Sequence, residues 1–207
     1  MKLKIAVLTA LMLSVSTAAN ADSMVNGSFE AGEANAIVCG ACHGPNGNSV
    51  NPAWPSIAGQ HAPYILKQLQ AFKSGARSNV LMTGQAMMLS DEDMANLSVY
   101  YEAQDVAAKA ITEPRTVAKG EALYRGGNKE NGVSACIACH GPNGKGNPAA
   151  RYPAISGQYA QYAAQQLRDY ASGTRKTDAP TRVMRDIAAR LSEDEIKAVS
   201  SYIQGLH

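Results

Sequence analysis

The sequence predicts an all-α protein made of two tandem copies of one small domain, and three observations carry that reading. A nine-residue string, Cys39-Gly-Ala-Cys42-His43-Gly44-Pro45-Asn46-Gly47, recurs 97 residues downstream as Cys136-Ile-Ala-Cys139-His140-Gly141-Pro142-Asn143-Gly144. Further features repeat in the same order after it. No stretch alternates apolar and polar residues as a strand would, whereas several show helical spacing.

Taken in chain order, Lys2 and Lys4 precede an apolar run from Ile5 to Val15, and Ala19-Asn20-Ala21 offers small residues for cleavage. This is the pattern of a secretory signal peptide over residues 1–21. The run is shorter than the roughly 20 residues a membrane-spanning helix needs, so the expected product is exported and soluble, with a retained signal acting as an anchor as the alternative. The first domain is expected over 22–112 and the second over 113–207. Thr112, Pro114 and neighbouring small residues mark the short linker between them.

Each copy predicts a helix leading into its cysteines, a second around Tyr64 to Ser74 or Tyr162 to Ala171, and a last one starting at Ser90 or Ser192. The last helices begin with capping boxes, Ser90-x-x-Asp93 and Ser192-x-x-Glu195, whose side chains satisfy orphan backbone donors. Met94, Leu97 and Tyr101, like Ile196, Val199 and Ile203, then recur at helical spacing. Between the helices lie long loops rich in Gly, Pro and Asn, which suggests loops wrapped around a guest. Aromatics are only 6% of the chain, so two domains of this size would have thin cores without added apolar bulk. Gly32 and Gly120 fit either a close crossing of first and last helices or ordinary helix starts.

Charge separates the halves. Residues 22–112 hold 4 basic and 8 acidic side chains (net −4), and residues 113–207 hold 13 and 9 (net +4). The balance argues against nucleic acid as a partner, while the split would orient docking with charged proteins. Arg182, Arg185 and Arg190 are the expected steering charges.

A Cys-x-x-Cys-His string places two thiols and an imidazole within one turn, so that the sulfurs can form thioethers with haem vinyl groups while the histidine reaches iron. That spacing reads as c-type haem attachment, predicting two covalently bound haem c groups held by Cys39 and Cys42 and by Cys136 and Cys139. His43 and His140 would be the first axial iron ligands. A zinc site or a thioredoxin-like redox pair would need further ligands or a strand-helix context.

Methionine or histidine as the sixth ligand would close the coordination sphere, and methionine would raise the potential. The second copy has one methionine, Met184, seven residues before Leu191; in the first copy Met82 stands seven before Leu89, and Met87, Met88 and Met94 match Ala189, Arg190 and Ile196. Met82 and Met184 are therefore the expected ligands. His61 corresponds to Tyr159 and His207 ends the chain, so neither fits. With both irons closed, no small-molecule substrate or catalytic residue is expected, and outer-sphere electron transfer remains. Pro55 and Pro153 offer carbonyls to the proximal histidines. Arg77 and Arg175 fit either haem propionates or exposed loop positions.

These motifs, with Lys67-Gln68-Leu69, Met82-Thr-Gly84, Met184-Arg185 and the ending Ser201-Tyr-Ile-Gln-Gly-Leu-His207, resemble the cytochrome c4 family of dihaem cytochromes c across the whole mature chain. The resemblance implies two class I cytochrome c folds related by a pseudo-twofold axis, with haem propionate edges facing across the interface. Both irons would be His/Met ligated, through His43 and Met82 and through His140 and Met184. It also implies a periplasmic carrier between a respiratory electron donor and a terminal oxidase or reductase, sometimes loosely associated with the membrane. One departure is a short loop between Arg77 and Met82. The alternatives are the dihaem electron-accepting subunit of a flavocytochrome c sulfide dehydrogenase and a dihaem peroxidase, the latter requiring an openable iron.

Overall fold

Helices separated by loops make up residues 23–207, the part of the chain described by the computed structural model; the expected signal over 1–21 lies outside the described residues. The first copy contains α1 (Phe29–His43), α2 (Ala62–Lys73), α3 (Val80–Met87) and α4 (Asp91–Glu102). A 3₁₀ turn at Pro114–Thr116 opens the second copy, followed by α5 (Val117–Gly126), α6 (Ile137–His140), α7 (Ala160–Ala171), α8 (Val183–Ala188) and α9 (Glu193–Gln204). Among the described residues there is no sheet, only two isolated bridges, Asn128 with Val133 and Asn147 with Tyr152. No described helix is long and apolar enough to cross a membrane.

In both copies the first helix crosses the last, α1 on α4 and α5 on α9, and glycine permits the approach. A Cβ on Gly32 would lie 2.2 Å from the Asn96 carbonyl oxygen, and one on Gly120 would lie 2.3 Å from that of Ala198. Of the two readings of these glycines, close crossing is the one observed. Aromatic pairs seal the same crossings, Phe29 with Tyr100 at 5.3 Å and Tyr124 with Tyr202 at 5.4 Å. Ile65, Leu97 and Tyr101 complete one small core, and Leu123, Val199 and Ile203 belong to the other.

The copies differ in how some of these helices are built. α1 runs unbroken through both cysteines to His43, whereas α5 stops at Gly126-Gly127 and the chain restarts as the four-residue α6. A further difference concerns the methionine segments, expected as loops and found as the short helices α3 and α8. Asn79 caps α3 by accepting from the Met82 N–H at 3.0 Å. α8 has no side-chain cap; Asp178 instead accepts from the Arg185 N–H at 2.9 Å and from its Nε at 2.7 Å.

The domains meet through reciprocal hydrogen bonds. Gln60 donates to Ala154 O at 2.7 Å and accepts from Ala154 N at 3.0 Å, while Gln158 donates to Ser56 O at 2.8 Å and accepts from Ser56 N at 3.1 Å. The segment between α4 and the 3₁₀ turn is tied to both sides. Asn48 holds Asp105 O and Ala107 N, both at 2.8 Å, and Lys109 donates to Gly157 O at 2.7 Å.

Candidate haem sites

The three- and four-residue spacings of a helix put Cys39, Cys42 and His43 on one side of the end of α1. The short α6 presents Cys139 and His140 with Cys136 at its N-cap. All six line one cavity of about 790 Å³ that runs through both domains, and Met82 from α3 and Met184 from α8 line it too. None of the four cysteines is in a disulfide. Among the described methionines only Met82 and Met184 face this cavity; Met87 and Met88 are exposed and Met94 is fully buried elsewhere.

Each histidine is held by a backbone carbonyl. Nδ1 of His43 lies 2.8 Å from Pro55 O, and Nδ1 of His140 lies 3.0 Å from Pro153 O. Nδ1 must donate in both, because a carbonyl only accepts, and Nε2 is then the nitrogen left with a lone pair for a metal. Burial pushes both imidazoles below their ordinary pKa, which keeps them neutral, the form a metal ligand requires. The prolines were expected in this role. His61 does not line the cavity; its Nε2 donates to Lys145 O, 2.6 Å away in the other domain.

The donor set suits haem c better than zinc. Each domain brings two free thiols and a carbonyl-anchored imidazole, with a thioether on a separate helix. Among the described residues no group of three or more His, Cys, Asp and Glu is placed to hold a metal ion on its own. The walls are largely apolar, as a porphyrin face requires: Ile57, Ile65, Leu69 and Leu97 in the first domain, Ile155, Leu167, Ile187 and Val199 in the second.

Arg77 and Arg175 each bond both within their own domain and across to the other. Arg175 is only 5% exposed, and its guanidinium reaches Gln166 in its own domain (2.8 Å) and Tyr64 and Gln68 in the other (2.7 and 3.0 Å). Arg77 mirrors it, donating to Gln68 at 2.8 Å and, across the interface, to Tyr162 and Gln166 at 3.0 and 2.7 Å. Both line the cavity. An exposed loop position is thus ruled out for Arg175. Arg185 also departs from expectation, since its ion pair with Asp178 is largely buried.

A family model described as "Cytochrome c" matches twice, at residues 29–108 and 117–207. The cytochrome c4 of Azotobacter vinelandii is 48% identical over 190 residues, covering 87% of this chain and 90% of that protein. The chain belongs to the cytochrome c4 family. The crystal structure of reduced recombinant cytochrome c4 from Pseudomonas stutzeri superposes with a TM-score of 0.85 at 44% identity, covering 87% of this chain and 100% of that one. A more distant relative, the thiosulfate dehydrogenase electron acceptor of Stutzerimonas stutzeri strain A1501, is 40% identical over 171 residues, covering 81% of this chain and 78% of that protein. As a cytochrome c4 family member the chain has two class I cytochrome c domains, binds two covalent haem c groups and transfers electrons. It is a carrier between redox partners and not an enzyme, so the peroxidase reading falls away.

Sequence reasoning did not foresee the interdomain roles of Gln60, Gln158, Arg77 and Arg175. Their equal spacing in the two copies was visible, but the partner of each lies in the opposite copy. It also missed an asymmetry inside the cavity, where the first domain has Tyr101 and the second Ile203.

Proposed function

We propose that the chain is a periplasmic one-electron carrier between a respiratory donor and a terminal oxidase or reductase. Cys39 and Cys42 attach the first haem and Cys136 and Cys139 the second, with His43 and Met82, and His140 and Met184, as the axial ligands. The domains are taken as 22–112 and 113–207, exported by the signal at 1–21. One observation carries the reading: two matched sets of two thiols, one histidine and one methionine, and no other described methionine, line a single apolar cavity.

A bound haem with both axial positions filled supplies reversible ferric/ferrous chemistry without a site for substrate, and a methionine ligand raises its potential. The chain's own residues do the rest. Pro55 and Pro153 fix the orientation of the histidines and increase their donor strength, α3 and α8 hold the methionines, and the reciprocal glutamines keep the two sites in one body. Beside Met82, α3 and its C-terminal end expose Val80, Leu81, Met87 and Met88, an apolar patch of the kind that meets a partner protein.

A redox titration of the purified protein with optical detection, paired with haem counting, tests the assignment. Two haems per chain with low-spin spectra are expected. Met82→Ala and Met184→Ala should each turn one haem high-spin and open to added ligands, while Met87→Ala and Met88→Ala leave the spectra unchanged. A low-spin Met184→Ala protein would remove Met184 from the site.

A second reading concerns the donor. The likeness to the thiosulfate dehydrogenase electron acceptor favours a sulfur-oxidising enzyme upstream in place of a respiratory complex. Reduction of the purified protein by thiosulfate plus that class of dehydrogenase would support it.

A further inference from the structure

The two haem sites share their ligand pattern but not their walls. Tyr101 on α4 and Ile203 on α9 stand eleven residues after the capping serines Ser90 and Ser192, and their equivalence is structural as well. The Tyr101 carbonyl accepts from Gly59 N at 2.8 Å and the Ile203 carbonyl from Gly157 N at 3.1 Å. Both side chains line the cavity. Tyr101 is 2% exposed, is locked edge-on against Tyr100 at 5.0 Å, and packs in the cluster that includes Cys39.

Its hydroxyl is buried and has no hydrogen-bond partner among the protein atoms. A buried hydroxyl left unpaired is costly, and an isoleucine at the equivalent place in the second domain builds the same kind of wall without that cost. Tyrosine here therefore needs a partner that arrives with the group filling the cavity. Cys39 packs in the same cluster and lines the same cavity, so haem attachment would fix its sulfur beside this wall.

We propose that Tyr101 is a tuning residue for the first haem: its O–H donates toward the Cys39 thioether and raises the potential of the haem attached there, a device that Ile203 denies the second haem. The sense follows from electrostatics. A ferric haem carries one more positive charge than a ferrous one, so a dipole whose positive end points at the centre disfavours oxidation; hydrogen bonding to groups just outside the ligand set is a recognised lever on haem potential. Burial holds the phenol far above its ordinary pKa, so it stays a donor at working pH. The inference rests on the proposed attachment of haem at Cys39 and Cys42.

The test is a redox titration of the intact dihaem protein and its Tyr101→Phe variant, the two midpoints being assigned by proton NMR of the axial methionine methyl groups. Tyr101→Phe keeps the ring and removes only the hydroxyl. The first haem's midpoint should fall by an amount equivalent to a two- to tenfold change in the ferrous-to-ferric ratio, about 18 to 59 mV for one electron. The second haem's midpoint should stay put. Tyr101→Leu, which removes ring and hydroxyl together, should lower the same midpoint. Unmoved midpoints in Tyr101→Phe, a rise, or an equal shift of both haems would overturn the proposal, as would a fall seen with leucine alone, which would signal packing. Haem count and low-spin spectra, read on the same samples, test the attachment separately: two low-spin haems with no shift would sink the tuning role and leave the site reading intact.

Discussion

Asp178 secures the residue next to Met184 twice over, through the backbone N–H and the guanidinium of Arg185, in an ion pair whose carboxylate is 3% exposed. Removing one partner of a buried pair leaves an uncompensated charge. Asp178→Ala should therefore destabilise the C-terminal domain by about 3 kcal/mol and, on the proposed ligation, let Met184 leave the iron on mild heating. Denaturant titration followed by the low-spin spectrum of that haem would measure both. Loss of stability with Met184 still bound to the point of unfolding would separate Asp178 from ligation. That Met82 and Met184 would take matching places along the cavity was legible in the sequence, because both stand seven residues before an aligned leucine. Asp178 was not, since it sits among the eight residues between Arg175 and Met184 where the first copy has only four. An insertion has no counterpart to compare, and its function appears only once the fold brings it against Arg185.

Among the elements, the last helix of each copy was readable from its cap. Ser90 with Asp93 and Ser192 with Glu195 form complete capping boxes in the structure. Glu195 goes further, accepting from Asn128 at 2.7 Å and so tying α9 to the loop between α5 and α6. Hydrogen bonds from Asn128 and from Ser192 hold its carboxyl below the ordinary carboxylate range. A depressed pKa contributes stability that is fully present above the unfolded value, near 4.3, and is lost as pH falls through the folded value. Acid unfolding of the C-terminal domain should thus begin below about pH 4, and the pH dependence of stability in that range should flatten in Glu195→Gln. Equal slopes in variant and parent would place the acid sensitivity elsewhere. The short helices α3 and α8 escaped the sequence because six to eight residues cannot show a period. The break between α5 and α6 escaped it because the glycine pair that causes it looked like part of one continuous approach to the cysteines.

Across the whole molecule, the charge split acquires a fixed direction. Residues 22–112 carry net −4 and residues 113–207 net +4, and the Gln60 and Gln158 exchanges with the tied linker prevent the halves from turning freely against each other. A rigid dipole can orient an encounter, whereas a hinged one averages its field away. Arg185 contributes little to the outward field, because Asp178 neutralises it inside the fold. Arg182 and Arg190 are exposed, Arg182 beside Asp186 at 3.7 Å and Arg190 donating to the Gly132 carbonyl at 3.2 Å. If the positive half leads toward an acidic partner, the bimolecular rate should fall as salt shortens the screening length from about 30 Å at 0.01 M to about 8 Å at 0.15 M. Arg182→Gln with Arg190→Gln should lower the rate at low salt and reduce that dependence, leaving both haem potentials unchanged. Arg185→Gln should act on Met184 and stability instead, with little effect on the salt slope. Stopped-flow electron transfer to an acidic redox partner over this range of ionic strength distinguishes the two classes of arginine, and a slope that is flat from the outset would mean that the two halves' charges play no part in docking.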